Sequence, residues 1–415
     1  MKLFKSSLLA MALTSITSVA HAQSVAISNA TIYTSTSQGV LTNATLVVDN
    51  GKITSINPAT VSADITIDAQ GKVLTPGFIG TMNTLGLVEV SAVAGSRDAS
   101  EKKADMTFDP SMAFNPLSTA IAYARKGGIT TNVVVPQGGE SIFKGQAFVV
   151  NLTGNMDSVI GNQTALLVSL GAKKEGSRAF DLQELFNKFD DAQQALNKAK
   201  TKADKNKEDS DKEPKRDEKI INAVLAGTMP LLAEADRASD LLALIKLKQK
   251  FGLDVIIAGG ADAVLVAKEL SEAKIPVLID AMRNLPGSFD SLHTSLESAA
   301  MLTKAGVKVV LSAGGAHNLY QLRFDAGNAV SNGLSKEQAI NAVTKNVADV
   351  FNLASGSIAV GKNADLVLWS GDPFEFSSKV EKMWIDGEEQ STQSRHDKLR
   401  DRYMTKSTMP KAYTK

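Results

Sequence analysis

Hydrophobic and polar residues alternate in two different ways along the chain, and the two patterns divide it into regions. Residues 24–73 contain short stretches in which every second residue is apolar, such as "ATLVVDN" and "ADITIDAQ", and Asp49-Asn50-Gly51 supplies a tight turn. The same alternation returns in "ADLVLWSG" and "KVEKMWIDGEE" near the other end. Two β-rich ends around a different middle predict one small β-sandwich domain built from residues 23–77 and 355–390.

The middle of the chain, residues 78–354, alternates fully apolar stretches with segments that have a helical period. "PLLAEA", "LDVIIAGG", "IPVLID" and "VKVVLSA" indicate buried strands, and helical segments such as "RASDLLALIKLKQKFG" and "SFDSLHTSLESAAMLTKAG" (288–306) lie between them. Buried strands that alternate with helices are typical of a parallel sheet covered by helices. We therefore predict an α/β fold with a distorted (β/α)8 TIM-like barrel, whose functional site lies at the carboxyl ends of the strands.

A doubly wound open sheet is the alternative architecture for this pattern. No G-x-G-x-x-G motif follows a strand and no G-K-[ST] phosphate loop occurs, so the usual nucleotide-binding signatures of such sheets are missing. The G-x-S-x-G elbow of a serine nucleophile is missing too. The absence of these motifs therefore argues against an open nucleotide-binding sheet and against serine catalysis.

The first 22 residues have the pattern of a secretory signal peptide. Lys2 and Lys5 precede an apolar run that ends at the small-x-small sequence Ala20-His21-Ala22. The run is interrupted by hydroxyl residues and is too short to span a bilayer, which disfavours a membrane anchor. The sequence predicts export across the inner membrane, with the mature protein in the periplasm.

Composition excludes several classes of function. Without Lys2 and Lys5, 43 of the 45 basic residues remain against 44 acidic residues, so the mature chain has a net charge of −1 and no basic field for nucleic acid. The absence of cysteine excludes thiolate chemistry and thiolate metal sites. Beyond the leader, the chain has three histidines, His293, His317 and His396.

Two segments do not fit the strand–helix pattern. Residues 197–219 are nearly all charged, with both signs interleaved, which predicts a solvated helical arm or a mobile insertion in the barrel. Residues 391–415 form a basic amphipathic tail, which we expect to be a packed or frayed end.

Four motifs together resemble the amidohydrolase superfamily, and its imidazolonepropionase-like branch in particular. They are "GKVLTPGFIG", "GLSKEQAINAVTKNVADVFNL", "GSIAVGKNADLVLWSGDPFE" and "VEKMWIDGEE", and the resemblance extends over nearly the whole mature chain. It implies a distorted (β/α)8 barrel with a β-sandwich made from both chain ends, and hydrolysis of C–N bonds in amides, cyclic amides or dipeptides. It also implies one or two divalent metals such as zinc, which activate a bound water.

The metal ligands that the resemblance implies are not in their places. Met82 and Thr84 occupy the two positions at which the resemblance implies a His-x-His pair. Glu234 occupies the position of a histidine on a later strand, and Leu167 lies near the position at which some family members have a metal-binding lysine. The aspartate position of the last strand falls on Gly314. Since three histidines cannot supply a four-histidine site, we predict a degenerate member without the usual metal centre and without a cofactor.

Glu234 and His317 are the candidates for chemistry. Glu234 ends a predicted strand, where it could be a general base or a single metal ligand, or a carboxylate that pairs with Arg237. His317 follows the last strand and is expected at the rim of the pocket, as a substrate contact or as an ordinary hydrogen-bonding residue. Further candidates for ligand contact lie in loops after strands, namely Arg97, Asp98, Asp280, Arg283 and Asn284.

Two hypotheses of different classes follow. In the first, the protein is a non-catalytic member of the family that binds a small-molecule ligand or pairs with itself or with a catalytically intact relative. In the second, it is an active C–N hydrolase with a non-standard site. The metal content of the purified protein would distinguish them.

Overall fold

The computed structural model describes residues 23–171, 176–203 and 213–405 of the 415-residue chain. The predicted signal peptide, residues 1–22, lies outside the described residues, as do residues 204–212 of the charged insertion and residues 406–415 of the tail. Within the described part, none of the helices combines the length and the apolar character that crossing a bilayer requires.

Strands occur where the sequence alternates with a period of two and where it is fully apolar, and helices occupy the 3.6-period segments. The strands are β1 (Val25–Tyr33), β2 (Val40–Asp49), β3 (Lys52–Ile56), β4 (Ile65–Asp68), β5 (Val73–Pro76), β6 (Phe78–Asn83), β7 (Ile129–Val134), β8 (Phe143–Asn151), β9 (Val159–Ser169), β10 (Leu231–Ala235), β11 (Val255–Gly259), β12 (Val277–Ile279), β13 (Val309–Leu311), β14 (Leu366–Trp369), β15 (Val380–Ile385) and β16 (Glu388–Glu389). The helices are α1 (Thr119–Arg125), α2 (Arg178–Ala203), α3 (Arg216–Leu225), α4 (Ala238–Phe251), α5 (Ala267–Glu272), α6 (Ser298–Lys304), α7 (Leu322–Ser331), α8 (Lys336–Ala342), α9 (Lys345–Phe351) and α10 (Arg395–Met404).

Strands from both chain ends form one sheet, which we call the terminal sheet. Its order is β16-β15-β14-β5-β1-β2-β3, and β4 pairs with β1 as well. β14 from the carboxyl end pairs antiparallel with β5 from the amino end, so the two ends are joined by direct hydrogen bonds. Their apolar faces share a core that includes Leu46, Leu74 and Leu366. The prediction that both ends build one β unit is confirmed.

The middle of the chain forms a second, curled sheet, whose order β6 to β13 follows the chain. Neighbouring strands are parallel from β9 to β13 and between β6 and β7. β8 is antiparallel to both of its neighbours, so the chain returns there directly without a helical crossover. The predicted fold class, a distorted TIM-like barrel with a second β unit, is confirmed, and β8 is a main part of the distortion.

Val343, just after α8, and Asn346, in the first turn of α9, connect the two end strands of the curled sheet. The backbone N–H of Ile79 in β6 donates to the carbonyl of Val343 at 2.8 Å. The side chain of Asn346 donates to the carbonyl of Val309 in β13 at 2.7 Å. These bonds satisfy backbone groups that an open edge would leave unpaired, and they close the barrel.

The inside of the barrel is filled with aliphatic side chains from alternate strand positions. Residues that face this interior are Val133, Ala147, Ala165, Leu167, Leu232, Ile256, Ala258, Leu278 and Val310. α9 packs Val347 and Phe351 against the same cluster. The barrel is therefore a packed core with no continuous channel through these residues.

The prediction of a helix over residues 288–306 is wrong for the first half of that range. α6 spans only Ser298–Lys304, and residues 281–297 form a loop of turns that we call the β12 loop. The Ser291 hydroxyl accepts the backbone N–H of Gly287 at 3.0 Å and so holds a local turn. Such side-chain-to-backbone bonds compete with a helical ladder, which explains why the 3.6-residue period did not produce a helix here.

The two segments that broke the sequence pattern are partly helical in the part of the chain that the structure describes. Residues 197–203 belong to the carboxyl-terminal end of α2, residues 213–215 are irregular, and residues 216–219 begin α3. In the tail, α10 is held on α1 by an ion pair between Lys126 and Asp397 at 2.7 Å, and the rings of Tyr123 and His396 lie 4.7 Å apart. The described part of the tail is thus a packed end, as expected.

Trp369 of β14 contacts both the terminal sheet and the barrel. Its buried indole donates to the Thr75 hydroxyl at 3.0 Å, and its ring centroid lies 5.3 Å from that of Phe78 in β6. Gly128 lies against the indole with a φ of 81°, and a Cβ there would come within 2.5 Å of the ring. A glycine is required at this position both by the backbone conformation and by the contact.

We predict that Gly128→Ala lowers the free energy of unfolding by about 2 to 5 kcal/mol, because left-handed strain and overpacking add together. Gly71→Ala is the matched control: Gly71 has a φ of 79° and nothing within 4 Å of its Cβ position, so it tests strain alone. Urea unfolding followed by tryptophan fluorescence measures both variants. An equal loss in the two variants would show that the contact with Trp369 contributes nothing.

Candidate functional site

A cavity of about 390 Å³ opens at the carboxyl ends of the barrel strands, and we call it the mouth pocket. This is the end at which TIM-barrel proteins place their functional sites. Its lining comes from strands β6 and β9 to β12, the residues just after β13 and the β12 loop: Met82, Ser169, Leu170, Gly171, Glu234, Ala235, Asp236, Ala258, Gly259, Leu278, Asp280, Arg283, Ser288, Asp290 and Ser312.

Polar side chains of the pocket floor lie directly above the dry barrel interior. Side chains two positions apart share one face of a strand, so the residue two positions after the last interior residue faces the pocket. Along each strand, an interior residue is followed two positions later by a residue of the pocket floor: Leu167 by Ser169, Leu232 by Glu234, Leu278 by Asp280, and Val310 by Ser312. The register places Glu234 directly beside Ser169 on the neighbouring strand.

Glu234 is a largely buried carboxylate whose pKa is raised. Its removal from water raises the pKa most, while a hydrogen bond from Ser169 and the charge of Lys144 oppose this shift and the charge of Asp236 adds to it. The expectation that Glu234 pairs with Arg237 is wrong, because Arg237 is exposed at the start of α4 and the groups that act on Glu234 are these three. Glu234 is therefore a pocket carboxyl that resists ionisation.

Arg283 of the β12 loop pairs with Asp236 instead. Its two terminal nitrogens lie 3.3 and 3.2 Å from the two carboxylate oxygens of Asp236. Asp236 also accepts the backbone N–H of Ala261 at 3.1 Å. The guanidinium side chain is 35% exposed, so it keeps donors free to face the cavity.

The carboxylate of Asp280 lies beside Gly314, which occupies the position where the resemblance implies an aspartate. One of its carboxylate oxygens lies 3.7 Å from the point where a Cβ of Gly314 would be. Its other oxygen accepts the backbone N–H of Met282 at 2.8 Å. Gly314 itself is exposed and lies outside the pocket lining. The carboxylate of Asp280, at the end of the neighbouring strand β12, therefore lies close to the position at which the resemblance implies an aspartate.

Met82 has an unusual backbone for a large side chain, with a φ of 57°. The pairing of β6 with β7 is irregular between Gly80 and Asn83, which is the site of this left-handed residue. Its side chain packs on the barrel interior and lines the pocket. Left-handed non-glycine residues are uncommon and cluster at functional sites, so the strain marks the mouth pocket as a specialised region.

Of the residues proposed from the sequence, the structure brings Met82, Glu234, Asp280 and Arg283 together in the mouth pocket. The others lie outside its lining: Thr84, Arg97, Asp98, Leu167, Asn284, Gly314 and His317. Leu167 is part of the barrel interior, one strand period below Ser169. His317 is exposed in a short 3-10 helix, Ala316–Gln321, so its expected place at the pocket rim is not supported by the lining.

The sequence interpretation also misplaced His293, which lies in the β12 loop and not on a helix. Its Nδ1 is 2.7 Å from a carboxylate oxygen of Asp262, away from the pocket lining. His396 lies on α10, and its ring contacts Tyr123. The three histidines are therefore dispersed over the described structure.

Several pocket residues escaped the sequence analysis: Ser169, Asp236, Ser288, Asp290 and Ser312. The two-residue step beyond each apolar interior position could have identified Ser169 and Ser312. Asp236 and Asp290 come from loops, and only the fold shows that Asp290 pairs with Arg178 of α2 at 2.6 Å.

The side chains of the mouth pocket do not fit a zinc-type centre. Such metals prefer imidazole or thiolate ligands with some carboxylates, whereas this pocket offers carboxylates, hydroxyls and one thioether. Asp236 and Asp290 are already neutralised by arginines. Over residues 23–171, 176–203 and 213–405, no three histidine, cysteine, aspartate or glutamate side chains are grouped so that they could hold a metal ion.

We predict that Glu234→Gln raises the melting temperature at pH 8. Because burial raises the folded-state pKa of Glu234, its favourable contribution to folding is complete below its unfolded pKa and is lost as the pH rises through the folded pKa. The difference in melting temperature between Glu234→Gln and the wild type should disappear near pH 4. Glu269→Gln, at an exposed position on α5, is the control, and a pH-independent effect at Glu234 would contradict the prediction.

Comparison with known proteins agrees with this fold. The profile of the amidohydrolase family matches residues 196–394. Amidohydrolase tasK from Hapsidospora irregularis is 24% identical over 82% of this chain, and the matched part is 39% of that protein's length.

Solved structures give a similar result. A crystal structure of an amidohydrolase from Thermotoga maritima MSB8 is 26% identical, covers 88% of this chain and 99% of its own, and superposes with a TM-score of 0.79. A β-aspartyl dipeptidase from Fervidobacterium islandicum AW-1, in complex with a β-Asp-Leu dipeptide, shares the fold at 13% identity, with a TM-score of 0.56 and coverage of 90% and 98%. The chain is therefore similar to the amidohydrolase family, in sequence over residues 196–394 and in fold over most of its length.

Proposed function

We propose that this protein is an exported member of the amidohydrolase family whose mouth pocket binds a small-molecule ligand without metal-dependent hydrolysis. The observation that carries the proposal is the donor set of the pocket, in which Met82, Ser169, Glu234 and Ser312 line the positions around the barrel axis. A thioether and neutral hydroxyls bind zinc-type metals weakly, so Glu234 is the one strong metal ligand among these four side chains.

The charges of the mouth pocket favour a small zwitterionic ligand such as a dipeptide. Arg283 offers guanidinium donors to a ligand carboxylate, and Glu234 and Asp280 offer acceptors to a ligand amine. A volume of about 390 Å³ is within the range of small-molecule sites. The dipeptide bound to the Fervidobacterium relative has both kinds of charged group, which makes it a suitable probe.

A surface for pairing with another subunit lies next to the pocket. The β12 loop exposes large apolar side chains, with Leu285 at 80%, Phe289 at 93% and Leu292 at 56% exposure. Exposed apolar clusters of this kind favour contact with a second protein surface. We include in the proposal that the protein pairs through this loop with itself or with a catalytically intact relative.

One observation favours the second candidate function, C–N bond hydrolysis through a non-standard site. Glu234 and Asp280 face one cavity from different strands, and burial raises the pKa of Glu234. A carboxyl group with a raised pKa can act as a general acid beside a second carboxylate that acts as a general base. The experiments below separate this function from binding alone.

The first test is the metal content of the mature protein. We predict that it purifies with substoichiometric zinc, manganese and iron, and that incubation with these metals followed by dialysis does not change this. Elemental analysis by mass spectrometry provides the measurement. About one tightly held metal per chain, with chelator-sensitive hydrolysis that Glu234→Ala abolishes, would restore a metal-dependent enzyme.

The second test is calorimetry with β-Asp-Leu, with the solution assayed for free amino acids afterwards. We predict binding without cleavage, and we predict that Arg283→Ala weakens binding about tenfold because it removes a charge-assisted contact. Arg97→Ala, which removes the same charge outside the pocket lining, should leave affinity unchanged. Cleavage that Asp280→Asn abolishes would support the hydrolase instead, and equal losses in both arginine variants would reject this pocket.

A further inference from the structure

A second cavity lies on the outside of the barrel, between α7, the start of α8 and the segment that follows β14. It has a volume of about 670 Å³, and we call it the aromatic groove. The residues that matter for its chemistry are Phe324, Asp325, Lys336, Asp372, Glu375 and Phe376. None of these lines the mouth pocket.

One wall of the aromatic groove is a stacked pair of phenylalanines. The rings of Phe324 and Phe376 lie 4.3 Å apart with an interplanar angle of 8°. Phe376 remains 83% exposed, so a large aromatic surface faces solvent. Exposure of a phenylalanine to this extent costs hydrophobic free energy, which a bound apolar group would recover.

Arg323 fixes the segment that carries Phe376. Its guanidinium donates to the carbonyls of Pro373 at 2.9 Å, Glu375 at 3.2 Å and Ser378 at 3.0 Å. The same group lies 4.1 Å above the ring of Phe324. The aromatic wall is therefore already ordered, so a ligand does not have to organise it.

The other feature of the groove is Asp325, a carboxylate that is only 8% exposed. Among the residues that the structure describes, no hydrogen bond or ion pair joins its side chain to another group. Lys336, a basic residue in the groove lining, is bonded to Asp372. Burying a carboxylate without a partner is unfavourable, so this group is placed to receive a donor from outside the chain.

We propose that the aromatic groove binds an organic cation, with its ammonium group on Asp325 and its apolar body against Phe376. The site is separate from the mouth pocket, and the proposal does not depend on the function proposed for that pocket. An ammonium group near an aromatic face and beside a carboxylate gains from both contacts.

Other ligand chemistries fit the groove less well. An anion would meet Asp325, Asp372 and Glu375, whose negative charges exceed the single positive charge of Lys336. A neutral apolar molecule would cover Phe376 and leave Asp325 buried without a partner. The carbonyl oxygens of the following loop occupy Arg323, so its charge is not available to an anionic ligand.

Protonation of Asp325 provides an independent readout. Burial, and secondarily the charge of Asp280, raise the pKa of Asp325 to about 7. Asp280 faces it from the end of β12, and Lys336, Asp372 and Glu375 are the other charged groups of the groove. A cation selects the ionised form, so its affinity should fall when the pH is lowered from 8 to 6.

The test uses the full mature chain and benzylammonium as the probe, by calorimetry at pH 8 and pH 6. We expect one site with a Kd on the order of 1 mM at pH 8, and weaker binding at pH 6. Benzyl alcohol, which keeps the ring and lacks the charge, should bind about tenfold more weakly. Equal binding of the alcohol, or no binding of benzylammonium, would overturn the proposal.

Two variants locate the site. Asp325→Asn should weaken benzylammonium binding about tenfold and remove its pH dependence, and Phe376→Ala should weaken it several-fold. Asp157→Asn, the same chemical change at an exposed position, should bind like the wild type. Unchanged affinity in Asp325→Asn, or the same loss in Asp157→Asn, would reject the assignment.

A folding control accompanies the binding data. Because the folded-state pKa of Asp325 is raised, its contribution to stability is complete below its unfolded pKa and is lost as the pH rises through about 7. Asp325→Asn should therefore melt at or above the temperature of the wild type at pH 8. Lost affinity with retained melting supports the site, whereas lost affinity with a lowered melting temperature at pH 8 would contradict the role given to Asp325.

Discussion

The dry interior of the barrel is the constraint on which the rest of the structure depends. Aliphatic side chains such as Leu167, Leu232 and Leu278 fill it at every level below the mouth. A polar group in that layer would lose its hydration without gaining a partner, so polar chemistry is confined to the next residue on the same face. Glu234 and Asp280 occupy that next layer. The position of the mouth pocket therefore follows from strand period and burial.

The same layer explains how a barrel of this fold can carry different side chains at its mouth. Pocket side chains such as Glu234 and Asp280 lie above the core, so exchanging them changes the pocket and leaves the interior packing intact. The terminal sheet is attached elsewhere, through Trp369 and its bond to Thr75. Most of the packing that stabilises the fold is therefore made by residues other than those that determine the chemistry of the pocket.

Sequence patterns predicted the layers of the fold because burial imposes periods of 2 and 3.6 residues. They located Glu234 and Asp280 because both lie at the carboxyl ends of apolar strands. Leu167, near the lysine position that the resemblance implies, lies in the barrel interior, and Ser169 two residues later faces the pocket. The sequence does not show at which residue β9 begins to face the pocket. Partners across loops, such as Asp236 with Arg283, depend on the tertiary path of the β12 loop and have no local signal.

Asp280 connects the two cavities electrostatically. It lines the mouth pocket, and its charge helps to raise the pKa of Asp325 in the aromatic groove. A cationic group beside Asp280 in the mouth would reduce this repulsion and make Asp325 easier to ionise. The size of this effect falls with screening by salt. A cation bound in the mouth pocket would therefore favour the ionised form of Asp325, which is the form that binds a cation in the aromatic groove, and by linkage the reverse holds for the two affinities.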